Sequence, residues 1–293
     1  MDSIESMKLI EDIITCINVY NLSRLQNVQE YEGSSTNTNN IYINAYGELT
    51  TYLRYLFTYY NSKITNEDLN RVEIPFINYL KDCLHKYDDI VIINYNYDIF
   101  LERLLMINGM DFNIEGFQDV NSKIKIIKPH GSISFSFNVK IEGPFTIRNS
   151  EADFFSQDVA QFQVKYDLSN DFPIVNAIIP PAGDSNRVSM GWVKLLREKI
   201  NHYVQESQGR DKLIIFGISY WHVDRAEIDE IITRINPNVD VNLINPNPPS
   251  SFNAVLTSLF KNYVHYQKSE LINNSEQKAT TGQSESIMEV ASR

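Results

Sequence analysis

Cysteine, basic charge and long apolar runs are all scarce in this 293-residue sequence. Two cysteines, Cys16 and Cys83, are too few for a four-thiolate zinc site or a disulfide framework, which favours a reducing compartment. The formal net charge is -11, so no broad basic surface is available to bind nucleic acid. No apolar run approaches the roughly 20 residues of a membrane-spanning helix, and the acidic N-terminus lacks a signal-peptide pattern. We therefore expect a soluble cytoplasmic protein with neither a membrane nor nucleic acid as its main partner.

The first 88 residues have the apolar spacing of helices. Apolar side chains recur every three or four positions over residues 7–19, which predicts an amphipathic helix. Two more helices are expected near residues 45–60 and 66–86, with an exposed polar loop over residues 30–40. We predict a helical region over residues 1–88 that packs on a sheet.

From residue 89 the sequence changes to short β-branched runs bounded by polar residues. The runs lie at residues 90–93, 124–127, 174–179, 213–216 and 239–244. Helical segments near residues 99–107, 190–208 and 225–235 separate several of them. The pattern predicts an α/β fold with a doubly wound, mostly parallel, Rossmann-like sheet over residues 89–267. The polar residues 268–293 predict a disordered tail.

Unusual polar residues follow the predicted strands, where ligands bind in open α/β sheets. The first strand end places Asn96 and Asp98 near the unpaired backbone N–H groups of a helix N-terminus. Asp98 is equally interpretable as a helix cap. The second places His130, a natural general base, beside Gly131, which allows close approach of a ligand to the backbone. A lone histidine is more often structural than catalytic.

Two later strand ends carry weaker signals. Gly217 and Ser219 open a turn ahead of Asp224, and a proline-rich stretch follows Asn245. That stretch is interpretable as the lining of an adenosine pocket or as a simple loop. The remaining histidines do not pair at metal-ligand spacings, so no metal site is expected.

Taken in order, these motifs resemble those of the SIR2-like family, bacterial relatives of sirtuins that often act as NAD-consuming effectors of anti-phage defence. The resemblance covers residues 89 to about 249. The family's threonine-asparagine-tyrosine-aspartate box is matched with tyrosine in place of threonine. The similar segments are Tyr95-Asn96-Tyr97-Asp98, His130-Gly131-Ser132, Pro180-Pro181 with the later Trp192, Gly217 and Ser219 with Asp224, and Asn245-Pro246.

The resemblance implies that the chain binds NAD at the strand ends and cleaves the bond between nicotinamide and ribose without a metal. Asn96 would orient the ribose hydroxyls or the attacking water, and His130 would be the general base. Asp98 would contact the nicotinamide side or hold the Asn96 loop. Further NAD contacts are expected from Tyr97, Gly131, Ser132, Gly217, Ser219, Asp224 and Asn245. Because two cysteines cannot form the zinc site of protein-deacylating sirtuins, NAD hydrolysis is favoured over deacylation.

One family element is missing from this sequence. Members begin with a strand and a glycine-rich loop that holds the NAD pyrophosphate, and this chain has no such segment. It is either an N-terminally shortened member or one that has lost the loop. Besides the hydrolase, two alternatives stay open: a non-catalytic SIR2-like module that senses a nucleotide or acts as a scaffold, and a structural α/β protein. The tyrosines near residues 52–60 favour packing in the core and in interfaces, and we expect a homo-oligomer or a complex with a defence-system partner protein.

Overall fold

The computed structural model describes residues 3–26, 37–138, 157–169, 173, 175–183, 187–188, 190–220 and 222–272. The chain divides into two compact units that alternate along the sequence. The first contains Met1–Val72, Asp88–Glu206 and Tyr220–Ile235, and the second contains Glu73–Tyr87, Ser207–Ser219 and Asn236–Arg293. The predicted domain boundaries at residues 88 and 267 stay a prediction, and most of the predicted tail, residues 273–293, lies outside the described residues.

Three helices begin the first unit. They are α1 (Ser3–Gln26), α2 (Asn37–Lys63) and α3 (Asn66–Arg71). The helices predicted at residues 7–19 and 45–60 lie within α1 and α2. Residues 37–40, predicted as loop, belong to α2, and residues 30–36 lie outside the described part of the chain.

The helix predicted over residues 66–86 is wrong, because the structure has two helices there. The first is α3, whose N-cap Thr65 accepts a hydrogen bond from the Asp68 backbone N–H at 3.1 Å. The second is α4 (Pro75–Lys86), which belongs to the second unit. Pro75 has no N–H to donate and disfavours the helical conformation at Ile74, so it begins a helix rather than continuing one.

The first predicted strand, at residues 90–93, belongs to a parallel sheet in the first unit. Its strands are β1 (Ile90–Ile93), β2 (Phe112–Ile114) and β3 (Ile124–Ile127), in the order β1-β3-β2. The helix α5 (Phe100–Ile107) follows β1. The strands predicted at residues 90–93 and 124–127 are confirmed.

An antiparallel sheet follows in the same unit. Its strands are β4 (Gly131–Phe137), β5 (Phe162–Val164) and β6 (Asn176–Ile178), in the order β5-β4-β6. The Tyr46 hydroxyl of α2 donates a hydrogen bond to the Ile178 carbonyl at 3.0 Å, so α2 packs on β6. Two helices complete the unit, α6 (Gly191–Gln205) and α7 (His222–Arg234).

The second unit contains a parallel sheet of its own. Its strands are β7 (Lys212–Phe216), β8 (Asp240–Ile244) and β9 (Asn262–Tyr266), in that order, and α8 (Ser250–Leu259) connects β8 to β9. The predicted α/β class is confirmed: among the described residues, helices alternate with three small sheets, two parallel and one antiparallel. No helix of the described ranges is both long and apolar enough to cross a membrane.

Candidate functional site

The imidazole of His130 is the centre of a buried polar cluster in the first unit. His130 lies between β3 and β4, and its side chain is only 3% exposed. Its Nε2 lies 2.9 Å from Oε2 of Glu227, and its Nδ1 lies 3.8 Å from Oδ1 of Asp224. Both carboxylates come from α7, where a spacing of three residues puts them on one face. The structure therefore brings the predicted His130 and Asp224 together.

Arg197 of α6 completes the cluster from the other side of Glu227. Its guanidinium lies 2.9 Å from Oε1 of Glu227 and donates a hydrogen bond to the Val188 carbonyl at 2.6 Å. Burial alone would raise the pKa of the Glu227 carboxyl, but the hydrogen bonds and charges of His130 and Arg197 outweigh it and lower that pKa. Glu227 is thus a carboxylate at neutral pH.

This ionisation determines which nitrogen of His130 carries hydrogen. A carboxylate only accepts hydrogen bonds, so Nε2 must donate to Glu227. In the neutral imidazole, Nδ1 is then the basic nitrogen. It lies 3.8 Å from Asp224, whose side chain is 31% exposed, against 10% for Glu227.

The loop after β1 lies against the same imidazole. The Tyr95 ring meets the His130 ring edge to face, with centroids 5.0 Å apart. Burial is the main reason why the pKa of the Tyr95 hydroxyl is raised, and the carboxylates Glu227 and Asp224 add to it. The next residue, Asn96, is exposed, and its backbone N–H donates to Oδ1 of Asn94 at 3.0 Å. Asn96 therefore presents its amide to solvent one residue from the aromatic contact with His130.

Asp98 is held in place by the start of α5 and by a buried lysine. Its Oδ1 accepts a hydrogen bond from the Phe100 backbone N–H at 3.0 Å, an Asx turn that precedes α5, whose N-cap is Ile99 and not Asp98. Its carbonyl accepts from Nζ of Lys128, which also lies 2.8 Å from Oε1 of Glu102. Both charged side chains are 0% exposed. The two roles predicted for Asp98, contact with the nicotinamide side and support of the Asn96 loop, stay predictions.

Three residues predicted to contact NAD are buried: Tyr97, Gly131 and Ser132. The Tyr97 hydroxyl donates to the Ile179 carbonyl, and the Ser132 hydroxyl donates to the Tyr97 carbonyl at 3.3 Å. Gly131 has φ +85°, and a Cβ added there would lie 1.8 Å from the Ala177 carbonyl oxygen. The close approach that Gly131 permits is therefore taken by the backbone of β6.

The remaining predicted residues lie in the second unit. Gly217 follows β7 with φ +66°, and its N–H donates to the Ile244 carbonyl at 3.1 Å. Asn245 follows β8, and its amide donates to the Ile218 carbonyl at 2.8 Å. Ser219 is exposed at the end of the same turn. The structure thus groups Gly217, Ser219 and Asn245 at the carboxyl ends of β7 and β8.

Four residues of the cluster and its support were not predicted: Glu102, Lys128, Arg197 and Glu227. Glu227 could have been predicted, because it lies one helical turn after Asp224 and therefore on the same face of the predicted helix. Glu102 likewise lies one turn after Asp98. No local pattern indicates Lys128 or Arg197, because their partners are distant in sequence.

Comparison with known proteins gives no family for the chain: no protein-family model matches it, and no curated protein does either. Among the residues described by the structure, no group of three or more histidine, cysteine or acidic side chains is arranged to hold a metal ion.

Proposed function

We propose that the chain is a SIR2-like NAD+ glycohydrolase with a doubly wound, Rossmann-like fold, and that it releases nicotinamide and ADP-ribose. The observation that supports this is the His130 cluster. Nε2 of His130 is held by Glu227, and Nδ1 lies 3.8 Å from Asp224, outside hydrogen-bond distance, an arrangement that suits a general base. The role in anti-phage defence rests on the resemblance of the motifs.

The reaction consumes one water molecule. The bond between C1′ of the ribose and N1 of nicotinamide breaks, and its electron pair neutralises the pyridinium ring. The water oxygen bonds to C1′ and its proton passes to the base, then to solvent. Because the transition state resembles an oxocarbenium ion, oriented polar groups stabilise it without any covalent intermediate.

Each residue of the cluster has a distinct part in this proposal. Nδ1 of His130 would take the proton from water, while Glu227 would fix the tautomer and stabilise the imidazolium that forms. Arg197 would keep Glu227 ionised. The exposed amide of Asn96 would bind the ribose hydroxyls or the attacking water.

The second unit, taken by itself, carries the glycine-serine turn that the resemblance assigns to NAD contacts. Gly217 and Ser219 are exposed at the carboxyl end of a parallel strand, the position at which ligands bind in open α/β sheets. We assign them to phosphate or ribose contacts. Tyr97, Gly131 and Ser132 would support the site from inside, because the structure gives them protein partners.

One observation favours the non-catalytic alternative, in which the chain senses a nucleotide or acts as a scaffold. His130 is nearly buried, as expected of a histidine that only stabilises the packing of β4 on α7. The two functions differ in turnover: both allow NAD binding, and only the hydrolase releases nicotinamide.

The test compares nicotinamide release by the wild-type chain with three variants. Asn96→Ala and His130→Ala remove the proposed binding and basic groups, and His85→Ala is the matched control, because His85 is an exposed histidine of α4. We expect release by the wild type and the control, with kcat lowered at least a hundredfold by His130→Ala. NAD binding by calorimetry is measured in parallel.

Three results decide between the candidates. Release that Asn96→Ala and His130→Ala abolish supports the hydrolase. NAD binding without release supports the sensing module. Release that is unchanged in His130→Ala contradicts the assignment of the base.

A further inference from the structure

Tyrosine side chains cover one outer face of α2, and the proposed function does not use them. Tyr52, Tyr55 and Tyr59 are 59%, 67% and 46% exposed, and their spacing places them on a single stripe of the helix. Tyr60, which is 55% exposed, flanks the stripe. The other side of α2 packs in the first unit through the fully buried Tyr46.

The stripe has one charge of each sign, at opposite ends. Exposed Glu48 precedes the tyrosines on the same face, and exposed Lys63 follows them. Nζ of Lys63 lies 4.8 Å from the centre of the Tyr59 ring, so this cation is positioned at the end of the stripe. The stripe is therefore locally neutral in a chain whose net charge is -11.

The residues of the stripe are arranged symmetrically about one point of α2, as a two-fold symmetric interface requires. The point midway between Tyr55 and Leu56 is also midway between Tyr52 and Tyr59, and midway between Glu48 and Lys63. A two-fold axis through that point would pair two α2 helices antiparallel. It would place each Glu48 against the Lys63 of the other copy, with Tyr52 facing Tyr59. The two Glu48–Lys63 pairs would lie at opposite ends of the stripe, about 22 Å from each other along the helix.

We infer that this tyrosine stripe of α2 is a symmetric dimer interface, with a second copy of the same chain as its partner. A two-fold interface requires a self-complementary surface, and the charges and aromatic rings of the stripe meet that requirement. Tyrosine is also among the residues enriched in interface cores. The inference does not depend on the proposed catalytic activity.

The exposed area indicates how strong the dimer should be. The four tyrosines expose roughly 450 Å² per copy, or about 900 Å² in a symmetric pair. Stable interfaces bury about 1,200–2,000 Å² in total. With the other residues of the stripe, the interface reaches the lower end of that range, so we expect dissociation at micromolar concentrations.

Sedimentation equilibrium of the full chain between about 1 and 100 μM tests the inference. Tyr55→Ser should weaken the dimer at least tenfold. Val120→Ser is the matched control, because Val120 is exposed outside the stripe and should leave the dissociation constant unchanged. Thermal unfolding of both variants should match the wild type, since both side chains are exposed.

A charge exchange tests the antiparallel register itself. Glu48→Lys alone should weaken the dimer about fivefold, because it puts like charges together at both ends, and Lys63→Glu should do the same. The double variant Glu48→Lys/Lys63→Glu should restore the dissociation constant to within about twofold of the wild type. A chain that is monomeric throughout, or a dimer that Tyr55→Ser does not weaken, would overturn the interface. A double variant no tighter than the single ones would overturn the register.

Discussion

Replacing Gly131 with alanine should destabilise the protein more than the same change at another left-handed glycine. At φ +85°, an alanine costs about 1–2 kcal/mol of conformational energy. Its Cβ would also lie 1.8 Å from the Ala177 carbonyl oxygen, which forces β6 away from β4. Overpacking of this kind adds about 1–3 kcal/mol. We therefore expect a loss of roughly 2–5 kcal/mol in the free energy of unfolding.

Gly109, which follows the C-cap Asn108 of α5, is the matched control. Its φ is +66°, and no described atom lies within 4 Å of an added Cβ, so Gly109→Ala should cost only the conformational term of about 1–2 kcal/mol. Urea unfolding followed by circular dichroism measures both losses. If the two variants lose equal stability within about 0.5 kcal/mol, the close approach of β6 to Gly131 is refuted.

Two further predictions concern the buried charges. Glu102→Gln should cost about 3–5 kcal/mol in urea unfolding, because it leaves the Lys128 ammonium without its buried counter-charge. Adding Lys128→Met should recover much of that loss, and a single variant that costs under about 1 kcal/mol would contradict the buried pair. The second prediction is that Glu227 stabilises the fold above pH 4.5, its unfolded pKa, because its pKa is lowered on folding. This stability is lost as pH falls through the lower, folded pKa, so the melting-temperature gap between wild type and Glu227→Gln should shrink at acid pH. A gap that is the same at pH 7 and in acid would contradict the role of Glu227.

Strands rich in isoleucine and valine were predictable from sequence, whereas β4, in which serines alternate with large apolar residues, was not. The apolar runs that form β1 and β3 contain little but isoleucine and valine, which favour a buried strand over any loop. In β4, serines alternate with large apolar residues, and nearly every position is buried. The serines of β4 are buried because Ser132 and Ser134 hydrogen-bond each other, which no local pattern indicates. β4 was missed for this reason, whereas β6 of the same sheet lies within the run predicted at residues 174–179.

The candidate site was predictable in part. His130 and Asp224 were identified from short motifs, and the structure places their side chains in one cluster. The role of Arg197 depends on the packing of α6 beside α7, which is a tertiary contact. Gly131 was predicted to let a ligand approach the backbone. In the structure, the backbone of β6 lies against it.

A proton NMR time course of NAD+ incubated with the purified wild-type chain tests the proposed hydrolase most directly. Free nicotinamide and ADP-ribose have resonances distinct from those of NAD+, so cleavage of the glycosidic bond is observed without a coupled assay. We expect both products to appear in equal amounts and His130→Ala to stop their appearance. Unchanged NAD+ at stoichiometric protein concentration would contradict the assignment of the His130 cluster as a hydrolase site.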